Sequence, residues 1–270
     1  DQVPAALAAY RCFEPFGEDP ERYALASQFV PAACEDEVID LLVRLRERAT
    51  ADGAEAFAAW QNAEVALGAE RYYRAMLEGG AESWNVRDRH MIDTLDRLLG
   101  HYGPGARAVV WAHNTHVGDA RGTDMAEAGM VNIGSLGRDR FDADRVMLVG
   151  FGCHRGGVVA GAYWGAPMEV MRVPPARPGS LEDTLNEAAP AQAVFAFPTA
   201  GGPDLLTEWL PHRAIGVVYD PDRERVGNYV PTRLGDRYDA FCWFADTRPV
   251  RPLHLRPADA LEPETYPSGV

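Results

Sequence analysis

Apolar side chains recur at helical spacing through the first 100 residues of the chain. Acidic residues at 35–37 precede a run with apolar residues every three or four positions, and a longer run of helix-forming residues covers 54–77. A third run starts at Ser83, a residue suited to cap a helix, and continues to about Leu99. The Gly-Pro-Gly segment at 103–105 then interrupts the pattern. This part of the chain is therefore predicted to contain helices and no strand.

Short apolar runs rich in β-branched residues replace this pattern in the second half. They predict strands at 108–112, 145–151, 193–197, 214–219 and 238–244, with helical segments between some of them at 125–130, 181–188 and 204–209. This alternation predicts an α/β fold: a central, mostly parallel sheet flanked by helices, with a helical N-terminal region. We expect a single domain over 1–257 and a flexible tail at 258–270. The domain is either complete or lacks strands from an absent N-terminal part, and the pattern leaves both open.

The charge balance restricts the possible partners. The chain has 270 residues with 26 basic and 40 acidic side chains, which gives a net charge of −14. An acidic chain argues against nucleic-acid binding, and no apolar run reaches the ~18 residues of a membrane span. All the basic residues are arginine, which excludes mechanisms that depend on a lysine. We therefore expect neither nucleic acid nor membrane as a partner.

The four cysteines, Cys12, Cys34, Cys153 and Cys242, are far apart and form no C-x-x-C pair. Secreted domains held by disulfides usually contain cysteine at higher density, and the chain does not open with the basic and apolar pattern of a signal peptide. We therefore expect free thiols in a reducing compartment and a cytoplasmic protein.

A polar cluster directly follows the strand predicted at 108–112. It contains His113, Asn114 and His116, and then Asp119 and Arg121. In α/β sheets, ligands bind in the crevice at the carboxyl ends of strands, and imidazoles there can act as general base, general acid or metal ligand. Asp119 can orient a ring and Arg121 can hold an oxyanion. The alternative is a loop in which these side chains only make turn hydrogen bonds.

Metal binding is a rival use of the same histidines. The H-x-x-H spacing offers His113 and His116 as two ligands, with Asp119, His90 or His154 as candidates for a third. The H-E-x-x-H signature of zinc proteases is absent. We therefore predict no metal, and a metal-assisted hydrolase remains an alternative.

A second polar cluster lies on the third predicted helix, where Arg87 and His90 share one face. These side chains either clamp a substrate or are ordinary surface residues. The glycine-rich segment at 150–157 lacks the spacing of a dinucleotide site, and no serine lies in G-x-S-x-G, so neither a nucleotide cofactor nor serine catalysis is predicted. The residues expected to contact a substrate are Trp111, Asn114, Asp119, Arg121, Arg87, His90 and Arg155.

Several motifs in a fixed order resemble the erythromycin esterase family. They are W-A-H-N-T-H-V-G-D-A-R at 111–121, preceded by W-N-V-R-D-R-H-M at 84–91 and followed by G-F-G at 150–152 and V-P-P-A-R-P-G-S at 173–180. Further matches are I-G-V-V-Y at 215–219, N-Y-V-P at 228–231 and R-Y-D-A-F at 237–241. The resemblance runs from about residue 10 to residue 255, and the ordered series makes it more specific than any single motif.

The resemblance implies a metal-independent hydrolase with an α/β core and added helices, acting on a small-molecule ester such as a macrolide antibiotic. In that family a histidine acts as general base on water and is supported by acidic residues. His113 and His116 match the two histidines of the family's later cleft motif. The resemblance therefore implies that His113 contacts the water or the ester carbonyl and that His116 supports it.

One departure from the family concerns the general base itself. In the family this histidine and its glutamate partners lie in an N-terminal G-E-x-x-H-G-like motif, and nothing in this sequence matches that motif. We therefore expect the chain to be the C-terminal portion of such a hydrolase, inactive or impaired alone. The alternative is a non-catalytic small-molecule binding module on the same scaffold.

Overall fold

The computed structural model describes residues 34–49, 53–78, 80–163, 165–198 and 201–252, together with positions 4, 6, 7, 11, 12, 23 and 26. The chain divides into two compact units, Asp1–Val109 and Val110–Val270, which we describe separately. Among the described residues, no helix combines the length and apolar character needed to cross a membrane. The single domain predicted over 1–257 stays a prediction, and the tail predicted at 258–270 lies outside the described residues.

The first unit contains the three helices that the sequence predicts. They are α1 (Glu35–Ala49), α2 (Ala54–Glu78) and α3 (Ala81–Tyr102), and α2 packs against both of the others. The described part of this unit contains no strand, as predicted. The buried core between α1 and α2 is formed by Val38, Leu41, Ala63 and Leu67. Apolar periodicity predicted α1 and α2 because the apolar residues at helical spacing are the ones that they bury against each other.

A disulfide joins Cys12 to Cys34 in this unit, so the prediction of four free thiols was wrong for this pair. The two cysteines are 22 residues apart, a spacing that carries no short motif, and only the fold brings them together. Cys153 and Cys242 are free, as expected. Because stable disulfides are typical of oxidising compartments, the cysteines no longer support a cytoplasmic location.

The second unit is built on a four-stranded sheet with the order β2-β1-β6-β3. Strands β1 and β6 pair in parallel, whereas β1–β2 and β3–β6 are antiparallel. A separate antiparallel pair is formed by β4 and β5. The α/β class with parallel strand pairing is confirmed, although the described sheet is mixed. The strands are β1 (Val149–Ala160), β2 (Glu169–Val173), β3 (Gln192–Ala196), β4 (Leu210–Arg213), β5 (Tyr229–Thr232) and β6 (Ala240–Asp246).

Helices of the second unit lie before the sheet in sequence and between its strands. They are α4 (Asn114–Val117), α5 (Ile133–Phe141), α6 (Leu181–Ala188), α7 (Glu224–Gly227) and α8 (Leu234–Arg237). The main core of this unit packs α6 against β6, with Leu181 and Leu185 beside Phe241 and Trp243. Phe241 and Trp243 point to the same face because side chains alternate along a strand. Helix α6 and strands β3 and β6 confirm the predictions at 181–188, 193–197 and 238–244, and β1 overlaps the strand predicted at 145–151.

Three predicted elements do not form, and one is shorter. The segment at 108–112 is not a strand; Val109 is 92% exposed and Trp111 is 83% exposed. The segment at 214–219 contributes a single parallel bridge, between Gly161 and Val218, and 125–130 is a series of turns. The helix predicted at 204–209 is a 3-10 turn at Asp204–Leu206. Apolar runs become strands only where neighbouring backbone offers ladder hydrogen bonds, which a one-dimensional pattern cannot reveal.

Candidate active site

The predicted histidine cluster forms a tight turn at the start of α4. His113 caps this helix: its ring Nδ1 accepts the backbone N–H of Thr115 at 3.3 Å and lies 2.9 Å from the Thr115 hydroxyl. Because Nδ1 acts as an acceptor, the neutral ring carries its proton on Nε2. His116 follows on α4 and is half-buried. The turn hydrogen bonds named as the alternative are therefore present, and the catalytic roles of His113 and His116 stay predictions.

Asn114 fixes this turn to the sheet. Its side-chain amide donates to the carbonyl of Phe151 at 2.7 Å, and its amide oxygen accepts the backbone N–H of Phe151 at 3.1 Å. The amide group thus satisfies both backbone groups of one residue on β1, as a neighbouring strand would. Beside it, the ring of Trp111 packs edge-to-face on the ring of Phe151, with centroids 5.5 Å apart. Asn114 and Trp111 therefore serve in anchoring the turn.

Asn132 holds the same turn from the other side, and sequence reasoning missed it. Its amide nitrogen donates to the carbonyls of Thr115 (2.8 Å) and Gly118, and its amide oxygen accepts from the backbone of Ala120. Asn132 also forms a capping box with Ser135 at the start of α5. The N-x-x-S spacing is the sequence signal that could have identified this helix start.

The environment of His113 favours the neutral ring. Part of the residue faces solvent, but the surrounding protein removes enough hydration to lower its pKa to about 4. His116 acts in the same direction, a hydrogen bond to the backbone of Ile215 opposes the shift, and the charges of Arg237 and His212 lower the pKa further. At neutral pH the His113 imidazole is therefore uncharged, and it is a hydrogen-bond donor through Nε2.

Asp119 and Arg121 bind each other. The buried Asp119 carboxylate accepts from Nε and a terminal nitrogen of Arg121 at 2.9 and 2.8 Å, and from Arg138 at 3.0 Å. Burial alone would raise the pKa of Asp119, but the hydrogen bonds from the two arginines hold it below its ordinary value. Arg121 also pairs with Asp139 at 2.8 Å. These contacts make the pair part of the scaffold under the turn.

Arg237 is a site-adjacent residue that sequence reasoning did not select. It is 1% exposed and lies at the end of α8. One terminal nitrogen donates to the Thr232 hydroxyl at 2.8 Å and the other to the carbonyl of Asn114 at 3.3 Å. A Cβ on Gly118 would lie 2.8 Å from Arg237 Nε, so the guanidinium runs directly under the turn. The contact between Arg237 and the histidine turn could not be predicted because the two are far apart in the sequence.

The other predicted substrate contacts belong to other elements of the chain. Arg155 is exposed on β1 and pairs with Asp246 at 2.7 Å. Arg87 and His90 belong to α3 of the first unit: the Arg87 guanidinium lies over Trp84, 5.0 Å from the ring centre. Burial, and then the charge of Arg97, lower the pKa of His90. The roles expected for Arg87, His90 and Arg155 stay predictions.

An apolar groove of about 430 Å³ in the first unit is separate from these clusters, because none of the predicted site residues lines it. Its lining comes from the end of α3 and the segment after it: Leu95, Leu98, Leu99, Tyr102, Ala106, Arg107 and Ala108. Within the described residues, no group of three or more His, Cys, Asp or Glu side chains is arranged to hold a metal ion.

The fold and the turn together define an α/β protein with a histidine-bearing site beside a mixed sheet. The chain belongs to the erythromycin esterase family, whose model matches residues 1–247. This result confirms the resemblance drawn from the motifs.

Solved structures share the fold at low sequence identity. A succinoglycan biosynthesis protein superposes with a TM-score of 0.73 at 15% identity, covering 92% of this chain and 58% of the other. A Bacillus cereus protein gives a TM-score of 0.71 at 16% identity, with 92% and 60% covered. The erythromycin esterase EreC, a mutant in its open conformation, gives 0.53 at 17% identity, with 79% and 52% covered. The chain thus spans about three-fifths of the length of the first two structures.

Proposed function

We propose that this chain is the His113-bearing portion of a metal-independent ester hydrolase. The observation that carries the proposal is the tautomer of His113: Nδ1 accepts from the Thr115 backbone, which leaves the proton on Nε2. With its pKa lowered to about 4, the ring is a neutral donor at pH 7. Such a donor suits the oxygen of an ester carbonyl, where negative charge develops during attack by water.

The hydrogen bond between the His113 ring and the backbone of Ile215 is an example of such donation to a carbonyl oxygen. A ring N–H can only donate to a backbone carbonyl, and here it meets that of Ile215. An ester carbonyl presents the same acceptor. In the proposed mechanism His113 stabilises the oxyanion, and His116 and the bonds from Asn114 to β1 hold it in position. The substrate class is a small-molecule ester, with macrolactones as the first candidates because of the family.

The general base is proposed to come from outside this sequence. The side chains with the largest effects on the pKa of His113 are His116, Arg237 and His212, and none of these three is a carboxylate. These three side chains favour the neutral form of His113, which can donate to an oxyanion. They do not provide a carboxylate that would help His113 accept a proton from water. Loss of a general base typically slows a reaction by about 10²–10⁴-fold. We therefore expect weak or absent hydrolysis by this chain alone.

Two alternatives remain as proposals. A non-catalytic binding module is favoured because nothing in this sequence matches the motif that carries the general base in the family. A metal-assisted hydrolase would need a third ligand for the H-x-x-H pair, and metal analysis of the purified protein tests it. Bound zinc or manganese in stoichiometric amount would support that alternative.

The test is a hydrolysis assay on the chain as it stands. The protein is incubated with a macrolide and a panel of simple esters, and mass spectrometry detects products heavier by one water. The matched control is His113→Ala, which we expect to fold with a small loss of melting temperature, because the helix cap is removed, and to lose any hydrolysis. Hydrolysis that survives in the control would contradict the role of His113. No hydrolysis by the folded chain would point either to a portion of a hydrolase or to the binding module, and an assay with upstream sequence restored would separate the two.

A further inference from the structure

Arg237 is a buried cation without a counter-charge among the described residues. It is 1% exposed, and its Nε is buried with no hydrogen-bond partner. Its terminal nitrogens donate to the neutral oxygens of Thr232 and Asn114. The ring of Tyr238, 5.3 Å from the guanidinium carbon, supplies a polarisable face but no negative charge.

The nearby carboxylates are already used by other arginines. Asp119 binds Arg121 and Arg138, and Arg138 also binds Asp239. Asp236, the neighbour of Arg237 in sequence, pairs with Arg233 at 3.0 Å. Within the described part of the second unit, Arg237 is therefore left without an ion pair. This pattern is unusual because a buried charge costs several kcal/mol unless it is paired.

The position of Arg237 determines which part of the protein experiences its positive electrostatic potential. The guanidinium lies under the turn that carries the two histidines: Nε would be 2.8 Å from a Cβ on Gly118, and a terminal nitrogen contacts the Asn114 carbonyl. The side chains with the largest charge effects on His113 are His116 on α4, Arg237 on α8 and His212 on β4, and the His212 ring is itself bonded to the buried Glu182 carboxylate on α6. A positive potential at this turn favours anions, and low local polarity strengthens it.

We propose that Arg237 is a positioning residue that gives the His113–His116 turn a positive potential, so that the turn binds carboxylate and oxyanion groups. The proposal rests on the ester-hydrolase function proposed above, because hydrolysis passes through an oxyanion and releases a carboxylate. Arg237 acts through the turn, and the donor groups that meet the anion belong to the histidines.

Acetate is the probe, because it has the chemistry of the released carboxylate and its binding needs no turnover. The full chain is titrated with sodium acetate at constant ionic strength, and NMR follows the imidazole signals of His113 and His116. We expect saturable shifts in both rings with acetate and none with acetamide, its neutral isostere. Equal shifts with acetamide, or no saturable shift with acetate, would overturn the proposal.

Two substitutions separate charge from hydrogen-bond geometry. Arg237→Met removes the charge and is expected to weaken acetate binding by about tenfold or more, which corresponds to about 1.4 kcal/mol. It should also raise the pKa of His113 from about 4 towards its ordinary value. Arg237→Lys retains the charge but not the planar fork, so it should keep both properties close to those of the wild type. A purely structural role predicts instead that lysine behaves like methionine.

The matched control is Arg172→Met on the exposed part of β2, where we expect no change in acetate binding. If Arg237→Met does not fold, the acetate and acetamide titrations of the wild type and the lysine variant still decide between the two roles. Failure of the hydrolase proposal is distinguishable: acetate binding that depends on Arg237, together with ester hydrolysis that survives in His113→Ala, contradicts only the proposed activity of His113. Hydrolysis with acetate binding unaffected by either substitution contradicts only the role of Arg237.

Discussion

The protonation of His113 makes the free energy of unfolding depend on pH. Its pKa falls from 6.5 to about 4 on folding, so between these values the unfolded chain binds a proton that the folded chain does not. Stability therefore rises with pH across this interval and is fully present above 6.5. The lowered pKa values of His90 and His154 act in the same direction.

We predict that the free energy of unfolding decreases as pH falls from 6.5 towards 4, and that His113→Gln makes this decrease smaller. Glutamine keeps a polar side chain and removes the titrating ring. Urea denaturation at a series of pH values measures the slope, and His101→Gln, a surface residue at the end of α3, is the control. An unchanged slope in His113→Gln would mean that His113 has an ordinary pKa in the folded chain.

The residues of the site show how far a sequence can be interpreted. His113, Asn114 and His116 could be selected because they are close together and carry distinctive chemistry. Arg237 could not be selected, because its importance comes from burial and from a contact across 123 positions of the chain. A sequence records which arginines are present, but not which ones are left without a carboxylate after folding.

At the scale of elements, α5 positions the candidate site through a close contact with α4. A Cβ on Gly134 would lie 2.6 Å from the backbone oxygens of Val117 and Gly118, at the end of the histidine turn. Backbone atoms cannot move away cheaply, so a methyl group there must displace one element from the other. Glycine at this position is therefore required by packing rather than by backbone conformation.

We predict that Gly134→Ala lowers the free energy of unfolding by about 1–3 kcal/mol. The matched control is Gly227→Ala at the end of α7, where no atom lies within 4 Å of the added Cβ. Helix propensity makes the control neutral or stabilising by up to about 1 kcal/mol. Urea denaturation of both variants tests this, and equal stabilities would show that α4 and α5 are not in close contact.

Helices, whose signal lies in their own sequence, were predicted well. Strands, which also need a neighbouring strand to pair with, were predicted less well. The stripes of α1 to α3, and the capping serine before α6, identify these helices from sequence alone. The 108–112 run has the composition of a strand, but a strand also needs neighbouring backbone, and this run has no strand partner among the described residues. The antiparallel pair β4–β5 went unpredicted because its strands are only four residues each.

At the scale of the whole molecule, the cysteines separate into one bonded pair and two free thiols. The Cys12–Cys34 bond closes a segment with a sequence separation of 22 in the first unit. Near it, the Tyr23 hydroxyl accepts from the Cys34 backbone at 3.3 Å and donates to Glu70 on α2 at 2.8 Å. The bond thus ties Cys12 to the residue directly before α1, and Tyr23 joins that residue to Glu70 on α2.

We predict that the purified, denatured chain presents two reactive thiols without reductant and four with it. Reduction should lower the free energy of unfolding by about 2–4 kcal/mol, because an open segment gains conformational entropy when the chain unfolds. Denaturation with and without reductant measures the loss, and the double variant Cys12→Ser, Cys34→Ser should show the lower stability under both conditions. Four reactive thiols in chain purified under oxidising conditions, with no stability change on reduction, would mean that Cys12 and Cys34 are unpaired. A reducing compartment would then again be the simplest interpretation of the cysteines.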